Sequence, residues 1–277
     1  MNFGSRWVVA IKKPAIAMAW DTPAQSGSAG ATRFVLERQY GYPVTPVRTA
    51  QLANTDLSKF QVLILPSGGN YASALGESGI DRVKAWVAAG GTLVALGDAV
   101  NFLGNSKVEL LELIQENALR EGEEKKPADK DKTSARVPGT AIATESDFDK
   151  VTRANTELPD SVPGAIARVR IRPDYWLTAG MGDIVYTMVE GRTIYAPVKA
   201  DKGINAAYYD AAEKLVASGH LWAENKKQLA FKPLVVSGTS GRGVVIGFTQ
   251  DPNFRAIGDG LNVLFLNAIF RGPAHAR

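Results

Sequence analysis

The 277-residue chain contains no cysteine. That excludes disulfides, thiolate metal sites and a cysteine nucleophile together. Histidine is nearly absent, with only His220 and His275. No His/Glu pair stands at metal-ligand spacing, so a histidine-based zinc site is not expected and no metal or cofactor is called for. A nucleophilic triad would rest on His220 alone. No apolar run approaches the ~18 residues of a membrane span. The opening MNFGSRWVVAIKKP lacks a basic n-region, and its apolar run, Trp7 to Ile11, is too short for the ~7–15 residues of an h-region. A signal peptide is therefore not expected within this chain. The net charge is only +4, spread along the sequence without a basic stripe of interleaved aromatics, so nucleic acid is not an expected partner.

What is present is an ordinary globular composition, 45% apolar and 22% charged, at a length that supports a sizeable core. Ala15–Trp20, Val44–Val47, Gln61–Leu65 and Thr92–Leu96 read as strands. They are separated by helical patterns over about 26–40 and Ile80–Ala89. Strands alternating with helices, the strands carrying continuous apolar runs, indicate a parallel sheet covered on both faces. Lys107–Arg120 reads as a further helix capped by Ser106. The segment 121–138, rich in Glu and Lys, cannot bury enough apolar surface to order itself, and a mobile insertion is expected there. Beyond it the pattern turns antiparallel. Ala165–Ile171 alternates apolar and basic residues. Asp183–Val189 and Thr193–Ala196 suggest a hairpin, and strands near 230–236 and 244–248 flank SGTSGRG. A helix over Leu261–Phe270 closes the pattern. The expected fold is α/β: a flavodoxin-like three-layer sandwich, mostly parallel, with helices on both faces and antiparallel additions in the second half. One domain is expected over 14–273, because no Pro/Gly/Ser linker separates two cores.

In such sheets ligands sit outside the carboxyl ends of the strands. Candidate ligand residues therefore cluster in the loops there: Asp21; Ser67, Gly68, Gly69 and Asn70; Asp98; and Asp251 with Arg255. PSGGN, residues 66–70, has paired glycines that suit an oxyanion hole or anion nest, or simply a tight turn. Asp98, in GGTLVALGDAVNFLG, stands at a strand–glycine–helix elbow. It is either a nucleophile or base, or a cap on the next helix. Asp251 and Arg255 form an internal ion pair, or Arg255 points at a carboxylate ligand. Trp20, Tyr71 and Trp222 are either aromatic walls of a cleft or core residues. SGTSGRG lacks the Gly-Lys-Ser/Thr ending of a phosphate loop and reads as a hairpin turn.

The order of AWDTP, LILPSGGNY, GGTLVALGDAV, PGAIARVRIRPDYWLTAGMGD, SGHLWAEN, GRGVVIGFTQDPNFRA and LFLNAIFRGP resembles the class I glutamine amidotransferase-like fold. More specifically, it is similar to the domain that follows the catalytic domain in bacterial zinc carboxypeptidases of the carboxypeptidase A type. That resemblance implies a non-catalytic accessory domain, Asp98 in the nucleophile position and a region near Gln250–Asp251 without the expected histidine. It implies a zinc carboxypeptidase partner, fused or separate, a peptide or cell-wall fragment as ligand, and a periplasmic or secreted parent. Two other readings stand beside it: a divergent hydrolase using Asp98 as nucleophile or base, and a small-ligand or glycan-binding module.

Overall fold

A computed structural model describes residues 10–119, 141–152, 154 and 156–276. The expected insertion at 121–138 lies outside the described residues. The first half alternates strand and helix: β1 (Ile16–Trp20), α1 (Ser26–Phe34) with a π turn (Val35–Gln39), β2 (Thr45–Arg48), β3 (Val62–Leu65), α2 (Tyr71–Ala88), β4 (Thr92–Leu96) and α3 (Val100–Leu103). The second half contains α4 (Glu145–Thr152), β5 (Val162–Ile171), β6 (Ile184–Gly191), β7 (Ile204–Tyr209), β8 (Val216–Gly219) and α5 (Ala223–Leu229). It ends with β9 (Pro233–Ser240), β10 (Gly243–Phe248), α6 (Asp259–Phe270) and α7 (Gly272–His275).

All the strands join one ten-stranded sheet in the order β2-β1-β3-β4-β10-β9-β7-β5-β6, with β8 also pairing β5. β2, β1, β3, β4 and β10 run parallel. From β10 outward every pairing is antiparallel. The fold is a three-layer α/β sandwich, as the alternation of elements requires. Successive side chains of a strand point to opposite faces, so each central strand feeds two cores. Ile16, Met18, Ile64, Val94 and Ile246 pack with Leu36 of the π turn and Leu264 and Phe265 of α6. Ala17, Leu63, Leu65, Leu93 and Val245 pack with Val83 and Val87 of α2 and Phe102 of α3. That double burial explains why these strands read as unbroken apolar runs.

Two expected elements are corrected. Residues 107–119 form no helix. Glu109 takes a positive φ of 50°, and the Leu110 and Leu111 N–H groups both donate to the Leu103 carbonyl. Leu111 and Leu113 are buried while Glu112 and Ile114 are exposed. This alternation belongs to an extended chain and overrides the helical spacing of the leucines. Nor do Thr193–Ala196 form a hairpin with β6. They pair with the extended segment instead, through Glu116 N–H to Ile194 O (2.8 Å) and Ala196 N–H to Ile114 O (2.9 Å). The SGTSGRG stretch is the β9–β10 hairpin, as its composition indicates.

Candidate functional site at the carboxyl edge of the parallel strands

The ends of β1, β3, β4 and β10 converge, and hydrogen bonds tie the β4 end to the β3 end and the β3 end to α1. The Asp98 N–H donates to Ser67 Oγ (3.2 Å), and the Ser67 N–H donates to Ser28 Oγ (2.9 Å). Ser28 also lies near Asp251 at the β10 end, whose carboxylate accepts from the Asn253 N–H at 2.8 Å. Ser67 and Ser28 are buried, so these bonds satisfy polar groups that would otherwise be costly to desolvate. Ser28 thus ties α1 to the β3 end, and α1 begins without a side-chain cap.

The elbow itself is made by Gly97, whose φ is +53°. A Cβ there would lie 2.5 Å from Ser67 Oγ. Asp98 is the next residue and is exposed. It lies within the 3-10 turn Gly97–Ala99, and its carboxylate makes no hydrogen bond to that turn or to α3. Its Oδ2 accepts a long hydrogen bond from Gln25 Nε2 at 3.5 Å. One turn on, Asn101 Oδ1 accepts from the Tyr195 hydroxyl (2.6 Å) and from Gln115 Nε2 (2.5 Å). That leaves the exposed Asn101 amide nitrogen as the free end of the group. Burial pushes the Tyr195 hydroxyl well above its ordinary pKa. The Gln115 bond opposes this and the nearby Asp98 charge adds to it, so the phenol stays a neutral donor.

The other sequence candidates divide. Ser67 and Gly68 are packed, not open: the Ser67 carbonyl accepts from Gln25 N–H at 2.8 Å, and a Cβ on Gly68 would meet the Pro23 carbonyl oxygen at 2.2 Å. Gly69 and Asn70 are exposed, and Asn70 takes a positive φ of 61° at the start of α2. Asp21 is exposed at the rim, 3.5 Å from Arg48. Asp251 and Arg255 form no ion pair among the described residues; Arg255 lies over its neighbour's ring, Phe254, at 5.2 Å. Tyr71 is buried with its hydroxyl donating to Pro66 O, so it is a core residue and not a wall of the site. His220 packs edge-on to Trp222, and His275 stacks on Trp176 at 4.5 Å. Gln25, Asn101, Gln115 and Tyr195 were missed in sequence. Asn101, three residues after Asp98, was the one with a local signal.

Asp251 differs from the other carboxylates. Burial raises its pKa, the Ser28 hydroxyl and Asn253 N–H hold it down in part, and Glu190 adds to the rise. A raised carboxyl favours the folded state most below the unfolded pKa of ~3.9, and that contribution is lost as pH rises through the folded value. Asp251→Asn is therefore expected to raise the melting temperature at pH 7 and not at about pH 3. A thermal melt at both values checks it.

No protein-family model matches the chain, and no curated protein matches it. Solved structures do. A protein from Parabacteroides merdae described as ThuA-like superposes with a TM-score of 0.59 at 12% identity, covering 95% of this chain and 90% of that one. A cytoplasmic protein from Salmonella typhimurium gives 0.53 at 13%, covering 92% and 97%. A Thermoplasma acidophilum protein, described as belonging to a GMP synthase, gives 0.52 at 12%, covering 94% of each. The chain shares its fold with ThuA-like proteins. These matches overturn the resemblance to a carboxypeptidase-associated domain, because they span nearly the whole chain and carry other descriptions. The zinc carboxypeptidase partner, the metallopeptidase parent, the peptide or cell-wall ligand inferred from it and the non-catalytic accessory role fall with it. So does the periplasmic or secreted setting; two of the matched Salmonella structures are described as cytoplasmic proteins. Among the described residues, no group of three His, Asp or Glu side chains is placed to hold a metal, and no helix is long and apolar enough to cross a membrane.

Proposed function

We propose that the chain is a divergent hydrolase that acts on a small, polar, hydroxyl-rich substrate, with Asp98 as general base. The observation that carries this reading is the Asp98 carboxylate: exposed on a strand–glycine elbow and free of any bond to its own helix. A carboxylate so held can draw a proton from water as the water attacks an electrophilic carbon; the bond to the leaving oxygen or nitrogen then breaks, and the protonated carboxyl returns the proton to it. The Gln25 amide, 3.5 Å away, steadies it. The Asn101 amide nitrogen, left free by the Tyr195 and Gln115 bonds to its oxygen, supplies a donor of the kind that matches substrate hydroxyls. A base suits this geometry better than a nucleophile. The Asp98 N–H already donates to Ser67 Oγ, so it is not available to a developing oxyanion. With no cysteine in the chain, amidotransferase chemistry through a thiolate is excluded.

A binding module without turnover is the second reading. It is favoured by the two histidines, which pack against Trp222 and Trp176 and leave the edge without a histidine acid. A panel of p-nitrophenyl esters, anilides and glycosides, followed by absorbance for turnover and by calorimetry for binding, separates the two. Turnover of one class supports the hydrolase. Heat of binding without turnover supports the module. Neither signal with any class overturns the proposal.

A further inference from the structure

β6 is the last strand of the sheet. Its register with β5 and the bond from Ile171 N–H to Asp183 O turn the backbone groups of its odd residues toward β5. The N–H and C=O groups of Ile184, Tyr186, Met188 and Glu190 therefore face outward. Edge strands are ordinarily blunted by lysine, proline or short length. This one reads IVYTMVEG and has no lysine or proline. Tyr186 is half exposed.

A cavity of about 480 Å³ runs along this edge. Ile184, Tyr186 and Met188 form one side, and the segment from Asp251 to Leu261 forms the other, including Phe254 and the largely exposed Ile257. At one end the protein already fills the place of a neighbouring strand. The Glu190 N–H donates to Gln250 Oε1 (3.3 Å), and Gln250 Nε2 donates to the Glu190 carbonyl (3.4 Å). A side-chain amide thus sits where a backbone amide of an added strand would sit. Beyond the clamp, Met188, Tyr186 and Ile184 keep their outward groups without a strand partner among the described residues. The charged residues that line the cavity are acidic, while the adjacent Arg168 and Arg170 of β5 are paired with Asp210 and Arg255 lies over the Phe254 ring. Asp251 and Asp259 line the cavity, and Asp183 and Glu190 stand at the two ends of β6. Burial and Glu190 both work against the ionised Asp251, a strain that an incoming cation relieves.

We infer that this groove takes an extended polypeptide segment with alternating apolar and Lys/Arg residues, which adds to the sheet as a strand beside β6. From Ile184 to Met188 the edge is about 14 Å long at ~3.4 Å per residue, so a five-residue segment fills it. Backbone bonds supply affinity, and the acidic border selects the basic side chains. Asp251 stands between this groove and the Asp98 edge, but the inference does not depend on the hydrolase reading.

The test is fluorescence anisotropy of labelled Val-Lys-Val-Lys-Val, with Val-Glu-Val-Glu-Val as control. Saturable binding is expected for the lysine peptide and at least tenfold weaker binding for the glutamate peptide. Met188→Pro removes one outward N–H and leaves the bonds to β5 intact. It is expected to weaken lysine-peptide binding at least tenfold while the melting curve stays near that of the wild type. If Met188→Pro does not fold, Tyr186→Pro serves the same purpose. Equal binding of both peptides, or equal binding by wild type and the proline variants, overturns the inference. A stable dimer in sedimentation that the proline variant abolishes overturns it as well, in favour of a second copy on this edge.

Discussion

Gly97→Ala is expected to lower the melting temperature by about 6 °C or more, from a loss of ~3 kcal/mol. Two effects add. A residue with a Cβ pays ~1–2 kcal/mol to hold the left-handed conformation that Gly97 adopts at φ +53°. The added carbon also lies 2.5 Å from Ser67 Oγ and 2.8 Å from Ser67 Cβ. Ser67 has no room to retreat, because it is buried and bonded to Ser28 and Asp98. The clash therefore pushes the β3 and β4 ends apart, and Asp98 moves with them. Gly69→Ala is the control, since a Cβ there meets nothing within 4 Å. Equal melting temperatures for the two variants contradict this account of the elbow.

The second large effect lies away from the site, at Asp210. This carboxylate is fully buried at the end of β7 and carries two arginines of β5. Arg170 Nε donates to Oδ1 at 2.6 Å, Arg168 Nε stands 3.0 Å from Oδ2, and the Ala211 N–H donates to Oδ1 at 2.9 Å. Asp210→Ala leaves two like charges side by side on one strand. Breaking a fully buried pair costs ~3–5 kcal/mol, and water reaches these partly exposed guanidiniums, so about 2–3 kcal/mol is expected here. The effect depends on pH. Burial alone raises the Asp210 pKa, but the Arg170 hydrogen bond, the Ala211 N–H and the two positive charges outweigh it and hold the carboxyl below its ordinary range. A depressed folded pKa means stability that is present above the unfolded value of ~3.9 and lost as pH falls through the folded one. Urea melts should show a wide gap between wild type and variant at pH 7 and a narrower one at about pH 2. An equal gap at both values contradicts the charged triad.

The parallel half of the fold was legible because its signals are local. IAMAW, VLIL and TLVAL are short apolar runs between turn residues, and α6 carries its own apolar pattern. Segment 107–119 misled because its leucines fit a helix as well as an extended chain. What decides between them is pairing with Ile194 and Ala196, far along the sequence. β7 and β8 escaped for a similar reason. VASG is only four residues long with a single β-branched side chain, and β8 exists because β5 has an edge to offer. Asp98 and the strand-end loops could be placed from the sheet pattern, whereas the Tyr195–Asn101 bond spans 94 residues and left no trace in either segment. The family resemblance failed differently. Strand ends, glycine turns and their order are what the shared α/β architecture demands. At 12–13% identity, ThuA-like and other proteins meet the same demand.

The measurement that bears most directly on the Asp98 edge is kcat/KM of Asp98→Asn on the best substrate from the ester, anilide and glycoside panel, with melting curves alongside. Because Asp98 caps nothing, its removal should leave the melt unchanged. As a general base it should carry a factor of ~10²–10⁴ in rate. A loss in that range with an unchanged melt is the predicted result. Undiminished turnover in Asp98→Asn would contradict the account, because the carboxylate would then be a bystander at the strand end.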